Sequence, residues 1–252
     1  MSPPGRVWIT GASSGIGRAV ALRYARDGAA VATSARSAAA LAALAAEPAA
    51  GARIRPYPVD VADRSAMRAT AARIEAELGP IELAVFNAGT HEPVDARAFD
   101  AAVFDRLIAV NLTGTVNGLA AILPRFVARR AGHLALVASV AGYGGLPTAA
   151  AYGATKAAMI NLAEALKFDL DPVGVRVSLV NPGFVRTPLT DKNPFEMPAL
   201  MEVEDAARAL VRGLAGGGFE VTFPRRFTWV LKLIRLLPYR LYFPLMARIT
   251  RK

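Results

Sequence analysis

The sequence predicts a doubly wound α/β fold built on a parallel sheet, the Rossmann arrangement. Short apolar, β-branched runs recur along the chain, and longer helix-compatible stretches separate them. The runs read apolar throughout rather than alternating with polar residues, as strands do when helices cover both faces of a parallel sheet.

The first run, "RVWIT", passes directly into "TGASSGIG" (Thr10 to Gly17) and then into the helical "RAVALRYARDG". "AAVATSA" is the second strand. The alanine-rich "SAAALAALAAEPAAG" reads as an ordinary helix ended near Pro48 and Gly51. "RIRPYPV", "ELAVFNA", "HLALVAS", "VRVSLVN" and "FEVTF" supply strands three to seven. No linker or composition break divides the first four fifths of the 252 residues, so residues 1–218 read as one catalytic unit. Residues 219–252 read as a basic, amphipathic, helical C-terminal extension.

Composition excludes several function classes. There is no cysteine, hence no disulfide or thiolate metal site, and the two histidines, His91 and His133, are too far apart in sequence to suggest a zinc cluster. No metal is expected. Near the N-terminus no charged segment precedes an apolar one, and no uninterrupted apolar run reaches the roughly 18 residues that span a bilayer, so a cytoplasmic protein is expected. The formal charge of +10 is concentrated in residues 219–252, which carry +7 and leave only +3 for the body. Those basic residues lie among Phe, Leu, Trp and Tyr, a mixture suited to an anionic lipid surface or an apolar docking site rather than to nucleic acid.

The glycine-rich turn between strand one and the first helix lets backbone approach a pyrophosphate, whose charge the helix N-terminal N–H groups hold. Its spacing, Gly11-x-x-x-Gly15-x-Gly17, departs from the commoner G-x-G-x-x-G. "GASSG" also matches the G-x-S-x-G nucleophile elbow of hydrolases, which would make Ser13 a nucleophile. That reading needs a histidine late in the chain, and none follows His133.

"YGATK" puts Tyr152 and Lys156 four positions apart, on one helix face. With "TGASSGIG", "VDV" around Asp60, "NAG" (Asn87 to Gly89), Asn111 in "VNLTG", Ser139 and "NPGFVRT", it gives an ordered set of motifs. In this the chain resembles the short-chain dehydrogenase/reductase family over about residues 6–215.

The resemblance implies that Tyr152 is the general acid/base, with Lys156 supplying positive charge that favours the phenolate and binding the nicotinamide ribose. It implies that Ser139 hydrogen-bonds the substrate oxygen and that Asn111 holds a water relaying protons from Lys156. Cofactor contacts are implied at Gly11, Ser13, Ser14, Gly15, Ile16, Gly17, Asp60, Val61, Asn87, Ala88, Gly89, Tyr152, Lys156, Pro182, Gly183, Val185 and Thr187. Asp60 would reach the adenine and Thr187 the carboxamide. At the end of strand two, where NAD-selective folds carry an acid, Ala35 is followed by Arg36, suited to a 2′-phosphate; the expected cofactor is NADP(H). His91 is expected to be a solvated loop residue.

The expected function is hydride exchange with an apolar ketone or secondary alcohol, the alternative being a dinucleotide-sensing or membrane-peripheral protein on the same fold. Phe195, Met197, Leu200 and Met201 are expected to form the inner surface of a substrate lid. The family's habits imply a homodimer or homotetramer through the helices of Asn111 and Tyr152. In the tail, Phe227, Val230, Leu231, Ile234 and Leu237 are expected on one helix face with Lys232 and Arg235 on another, and Tyr239, Tyr242, Phe243, Met246 and Ile249 on a second stripe. This pattern suits either peripheral membrane contact or packing over the pocket mouth or into a subunit interface.

Overall fold

The computed structural model of the protein describes residues 4–192 and 197–250. Strands β1 (Arg6–Thr10), β2 (Ala30–Ser34), β3 (Ile54–Pro56), β4 (Leu83–Phe86), β5 (Gly132–Val137), β6 (Val175–Pro182) and β7 (Glu220–Phe223) form one parallel sheet in the order β3-β2-β1-β4-β5-β6-β7. The order reverses between β1 and β4, where Val7 pairs with Leu83 on one side and Val31 on the other. At such a switch point the loops beyond the strand C-termini splay apart and leave a crevice. β3 is shorter than its sequence run because Pro56 and Pro58 have no N–H for the ladder.

Period-two alternation divides the core between the two faces of the sheet. Val7, Ile9, Leu83, Val85, Ala135 and Val137 face α1 (Gly15–Arg26), α2 (Ala38–Ala45) and α7 (Val203–Ala215). Their neighbours Trp8, Ala84, Phe86, Leu134 and Leu136 face α3 (Arg64–Leu78), α5 (Gly114–Ala128) and α6 (Ala150–Leu170). Side-chain caps set where helices begin. Ser37 accepts from the Ala40 N–H at α2 and Asp63 from the Ala66 N–H at α3.

A π-helical turn, Ile108–Thr113, joins α4 (Ala101–Leu107) to α5 and contains Asn111. The continuous helix Ala101–Ala128 is long and apolar enough to cross a bilayer, yet half of its most apolar stretch is buried in the protein. It packs on α3 as a core helix.

The C-terminal helices α8 (Arg225–Arg235) and α9 (Tyr239–Thr250) fold back onto the body, with Phe227, Leu231 and Ile234 of the α8 apolar stripe partly buried against it. Lys232 turns inward to an ion pair with Glu220, and Arg235 Nε donates to the Tyr143 carbonyl at 3.0 Å. Val230, on the same stripe, is exposed. On α9 the expected stripe divides: Tyr242 and Met246 are buried, whereas Tyr239, Phe243 and Ile249 face solvent. β7 belongs to the main sheet, so the segment beyond residue 218 contributes a strand before its helices begin.

Candidate active site

The glycine turn is built by clamping the end of β1 to the end of β4. Asn87 Nδ2 donates to the Thr10 and Gly11 carbonyls, both at 3.2 Å, while the Thr10 hydroxyl accepts from Asn87 N (3.1 Å) and Ala88 N (3.2 Å). This close approach admits no side chain. A Cβ on Gly11, whose φ is +67°, would lie 2.7 Å from Ala88 Cα, and one on Gly17 would lie 2.4 Å from the Gly11 oxygen. At the start of α1 the Ser14 side chain makes no cap and the first turn holds no acid, so the amides there have no competing anion.

The donor set therefore fits a dinucleotide pyrophosphate. Ala12 N bonds the Ser34 carbonyl at 3.2 Å, which brings the end of β2 alongside the turn. There Ala35 is buried and Arg36 is exposed with no partner among the described residues. Beyond β3, Asp60 is exposed with one oxygen bonded to Ala62 N (2.9 Å), and Val61 is buried against Gly114.

A cleft of about 360 Å³ opens at these strand ends. Gly11, Ser13, Ser14, Gly15 and Ile16 line one side; Asn87, Gly89, Ser139, Tyr152 and Lys156 line the middle; Pro182, Gly183, Val185 and Thr187 close the other. Gly17, Arg36, Asp60, Val61, Ala88 and Asn111 lie outside its walls. A second hollow of about 90 Å³ adjoins it, lined among others by His91, Leu146, Phe184 and Leu189. Ser139, Tyr152, Gly183, Leu189 and Thr190 border both. Two of the three hydroxyls at the partition, those of Ser139 and Tyr152, are the ones that the motifs single out.

Ser139 caps a short turn, its Oγ accepting from Ala141 N at 3.1 Å, which leaves its own proton available to donate. Lys156 is 3 % exposed and donates to the Val137 carbonyl at 2.9 Å; its Nζ lies 5.5 Å from the Tyr152 ring centre. Asn111 is tied on both sides. Its Oδ1 accepts from Thr90 N (2.7 Å), and its Nδ2 donates to Thr90 O and Thr155 Oγ1, both at 3.0 Å. The amide protons are thus spent on protein, and only acceptor capacity on Oδ1 remains for a water.

The titration of the pair runs opposite to expectation. Burial pushes the Tyr152 phenol up to about 12, with the Ser139 side chain pulling it down, and burial brings the Lys156 ammonium down to about 8. At the phenol, desolvation outweighs the Ser139 bond.

Other expectations are also corrected. His91 is not solvated: it is 8 % exposed, with its ring edge-on to Tyr152 at 4.8 Å. Among the described lid residues, Met197, Leu200 and Met201 line neither hollow, and Met201 packs on the core beside Val185. Phe195 lies outside the described residues. The apolar wall comes instead from Val140, Leu146, Phe184 and Leu189. Thr190, which the motifs do not include, holds the β6 loop: its hydroxyl accepts from Thr187 N (3.0 Å) and donates to Val185 O (2.7 Å). Thr155, inside "YGATK", donates to the Tyr152 carbonyl at 2.7 Å and links that helix to Asn111.

The sequence profile described as short chain dehydrogenase matches residues 6–197. The chain belongs to the short-chain dehydrogenase/reductase family. It is an oxidoreductase of that family, which works with a nicotinamide cofactor on small molecules. An uncharacterized oxidoreductase of Myxococcus xanthus is 39% identical over 235 residues, 93% of each chain. Among solved structures, a short-chain dehydrogenase from Sphingobium yanoikuyae in complex with NADPH superposes with a TM-score of 0.79, at 31% identity over 87% of each chain. A short-chain dehydrogenase/reductase from Burkholderia phymatum in complex with NAD gives 0.85, at 25% identity over 92% of this chain and 94% of its own. Relatives of similar likeness thus carry either nucleotide.

Proposed function

We propose that the protein exchanges hydride between NADP(H) and a carbonyl or secondary alcohol on an apolar molecule, as a cytoplasmic homodimer or homotetramer. The observation that carries this reading is the shared wall: Ser139 and Tyr152 border both the dinucleotide cleft and the smaller, mainly apolar hollow. A substrate oxygen in one hollow can then meet both hydroxyls beside a nicotinamide in the other.

Gly11, Ser13, Ser14, Gly15, Ile16 and Gly17 would hold the pyrophosphate, and Asp60 and Val61 the adenine. Asn87, Ala88, Gly89, Pro182, Gly183, Val185 and Thr187 would surround the nicotinamide end, with Tyr152 and Lys156 at its ribose. For the 2′-phosphate the support is the exposed Arg36, without a partner among the described residues, and the absence of an acid at Ala35. When bound, the nicotinamide supplies hydride to a carbonyl carbon or accepts it from a carbinol.

The chain's own groups manage the proton. With its phenol raised, Tyr152 is protonated at neutral pH, the form that donates to a carbonyl oxygen. Ser139 donates to the same oxygen and offsets its developing charge. Lys156, poised near pH 8, replenishes the tyrosine, and the acceptor face of Asn111 orients a water leading outward. Val140, Leu146, Phe184 and Leu189 exclude bulk water. Exposed Ile108, Val116 and Phe168 on the helices of Asn111 and Tyr152 support self-association there.

The test is NADPH oxidation against ketones and aldehydes graded from polar to long-chain apolar. Turnover should rise with apolar character and prefer NADPH. No oxidation by any member of the panel, or an equal preference for NADH, would contradict the reading, and a sedimentation mass of one 26.5 kDa chain would contradict the assembly.

A further inference from the structure

The outer face of the C-terminal helices has no part in the chemistry above. On α8, Phe227, Thr228, Leu231, Lys232, Ile234 and Arg235 face the body, while Trp229, Leu233 and Leu236 face away, 54%, 61% and 80% exposed. Their spacing, i, i+4 and i+7, puts them on one stripe. α9 adds exposed Leu241 and Phe243. Apolar exposure of this extent on a soluble protein marks a surface that meets something apolar.

Charge decides what that is. No acid follows Glu220, and the exposed cations among the described residues of these helices include Arg225, Arg226, Arg240 and Arg248. A second copy meeting this face through its own would set cation against cation, whereas a bilayer with anionic headgroups offers an apolar interior beneath negative charge.

We propose that the outer face of α8 and α9 docks on an anionic membrane surface, with Trp229, Leu233 and Leu236 entering the interface and the arginines engaging headgroups. The inner face of the same helices braces the pocket rim. Arg235 holds the Tyr143 carbonyl, Tyr242 Oη donates to the Gly145 carbonyl at 3.0 Å, and the Phe227 ring lies tilted against that of Phe184 in the apolar hollow, centres 5.9 Å apart. A docked molecule thus keeps its lipid contact and its pocket rim on one rigid element.

The two tryptophans permit a clean test with the full chain. Trp8 is buried in the core, so only Trp229 can meet lipid. The protein should co-sediment with phosphatidylcholine vesicles containing phosphatidylglycerol, less so at high salt, and brominated acyl chains should quench Trp229 but cause no quenching in Trp229→Phe. Leu233→Asp with Leu236→Asp, both at exposed positions, should cut the bound fraction at least about tenfold with thermal unfolding unchanged. Absence of binding at low salt, or equal binding to pure phosphatidylcholine, would overturn the proposal. So would a double variant that binds vesicles normally but loses sedimentation mass, which would give the face to a second copy.

Discussion

The two ends of the sheet make an instructive contrast. The larger hollow, about 500 Å³, lies at the N-terminal ends of the strands, and it is bordered by Tyr24, Arg129, His133, Arg176 and Leu214. Its polar groups serve one another. His133 Nδ1 accepts from Arg176 at 3.0 Å, leaving Nε2 to donate to Ser178 Oγ at 2.9 Å. Glu75 nearby takes Arg125, Arg129 and Ile81 N; burial alone would raise its carboxyl, yet those bonds hold it below the usual range. At the opposite end the cleft is smaller, but a buried lysine, a phenol and a serine hydroxyl converge beside an uncapped helix N-terminus. Size locates a void, whereas function needs donors still available to a ligand.

The largest expected effect is at the catalytic end. Tyr152→Phe should lower kcat by about 10²-fold or more while NADPH affinity stays near wild type, because the phenol acts on the substrate oxygen. Retention of more than roughly a tenth of kcat, measured at saturating NADPH, would break the contrast.

Next in size is Arg36→Ala, expected to weaken NADPH binding by about 1–3 kcal/mol with little change for NADH. Calorimetric titration of both nucleotides checks it. Equal losses for the two would place Arg36 outside the 2′-phosphate contact.

Lys156→Met should stabilise the protein at pH 7 by about 1–2 kcal/mol, the relief of a buried ammonium less the lost bond to Val137. The sign follows from proton counts: between about pH 8 and the ordinary lysine value the unfolded chain holds more protons, so wild-type stability rises with pH. The advantage of the variant should shrink over that interval, as denaturant melts at several pH values would reveal.

His133 should matter least at neutral pH. Burial and Arg176 bring its imidazole down to about 3, so below the ordinary histidine value the unfolded chain takes a proton that the folded one refuses. Stability should fall by up to about 1.4 kcal/mol per pH unit on acidification from this group. His133→Asn should flatten that slope and leave kcat and NADPH affinity unchanged.

Seven strands were legible because buried parallel strands are apolar along their length, and Gly11 and Gly17 were legible because nothing larger fits against Ala88 and the Gly11 carbonyl. What escaped depends on neighbours distant in sequence. Periodicity finds the apolar stripe on α8, but not that Lys232 and Arg235 turn inward beside it to Glu220 and the Tyr143 carbonyl. A loop histidine looks solvated until Val94 N bonds Thr148 O at 2.8 Å and brings residues 91–94 against Tyr152. The Tyr152–Lys156 spacing shows that the groups can meet, and burial then sets the direction in which each titrates.

The claim that the dinucleotide binds at the C-terminal strand ends, and not in the larger hollow, is tested most directly by hydrogen exchange of the wild-type protein with and without NADPH. Protection is expected in peptides covering residues 11–17, 87–89, 137–139, 152–156 and 182–190, with no change over 129–133, 174–176 and 211–215. Protection confined to the second group of peptides would contradict the account.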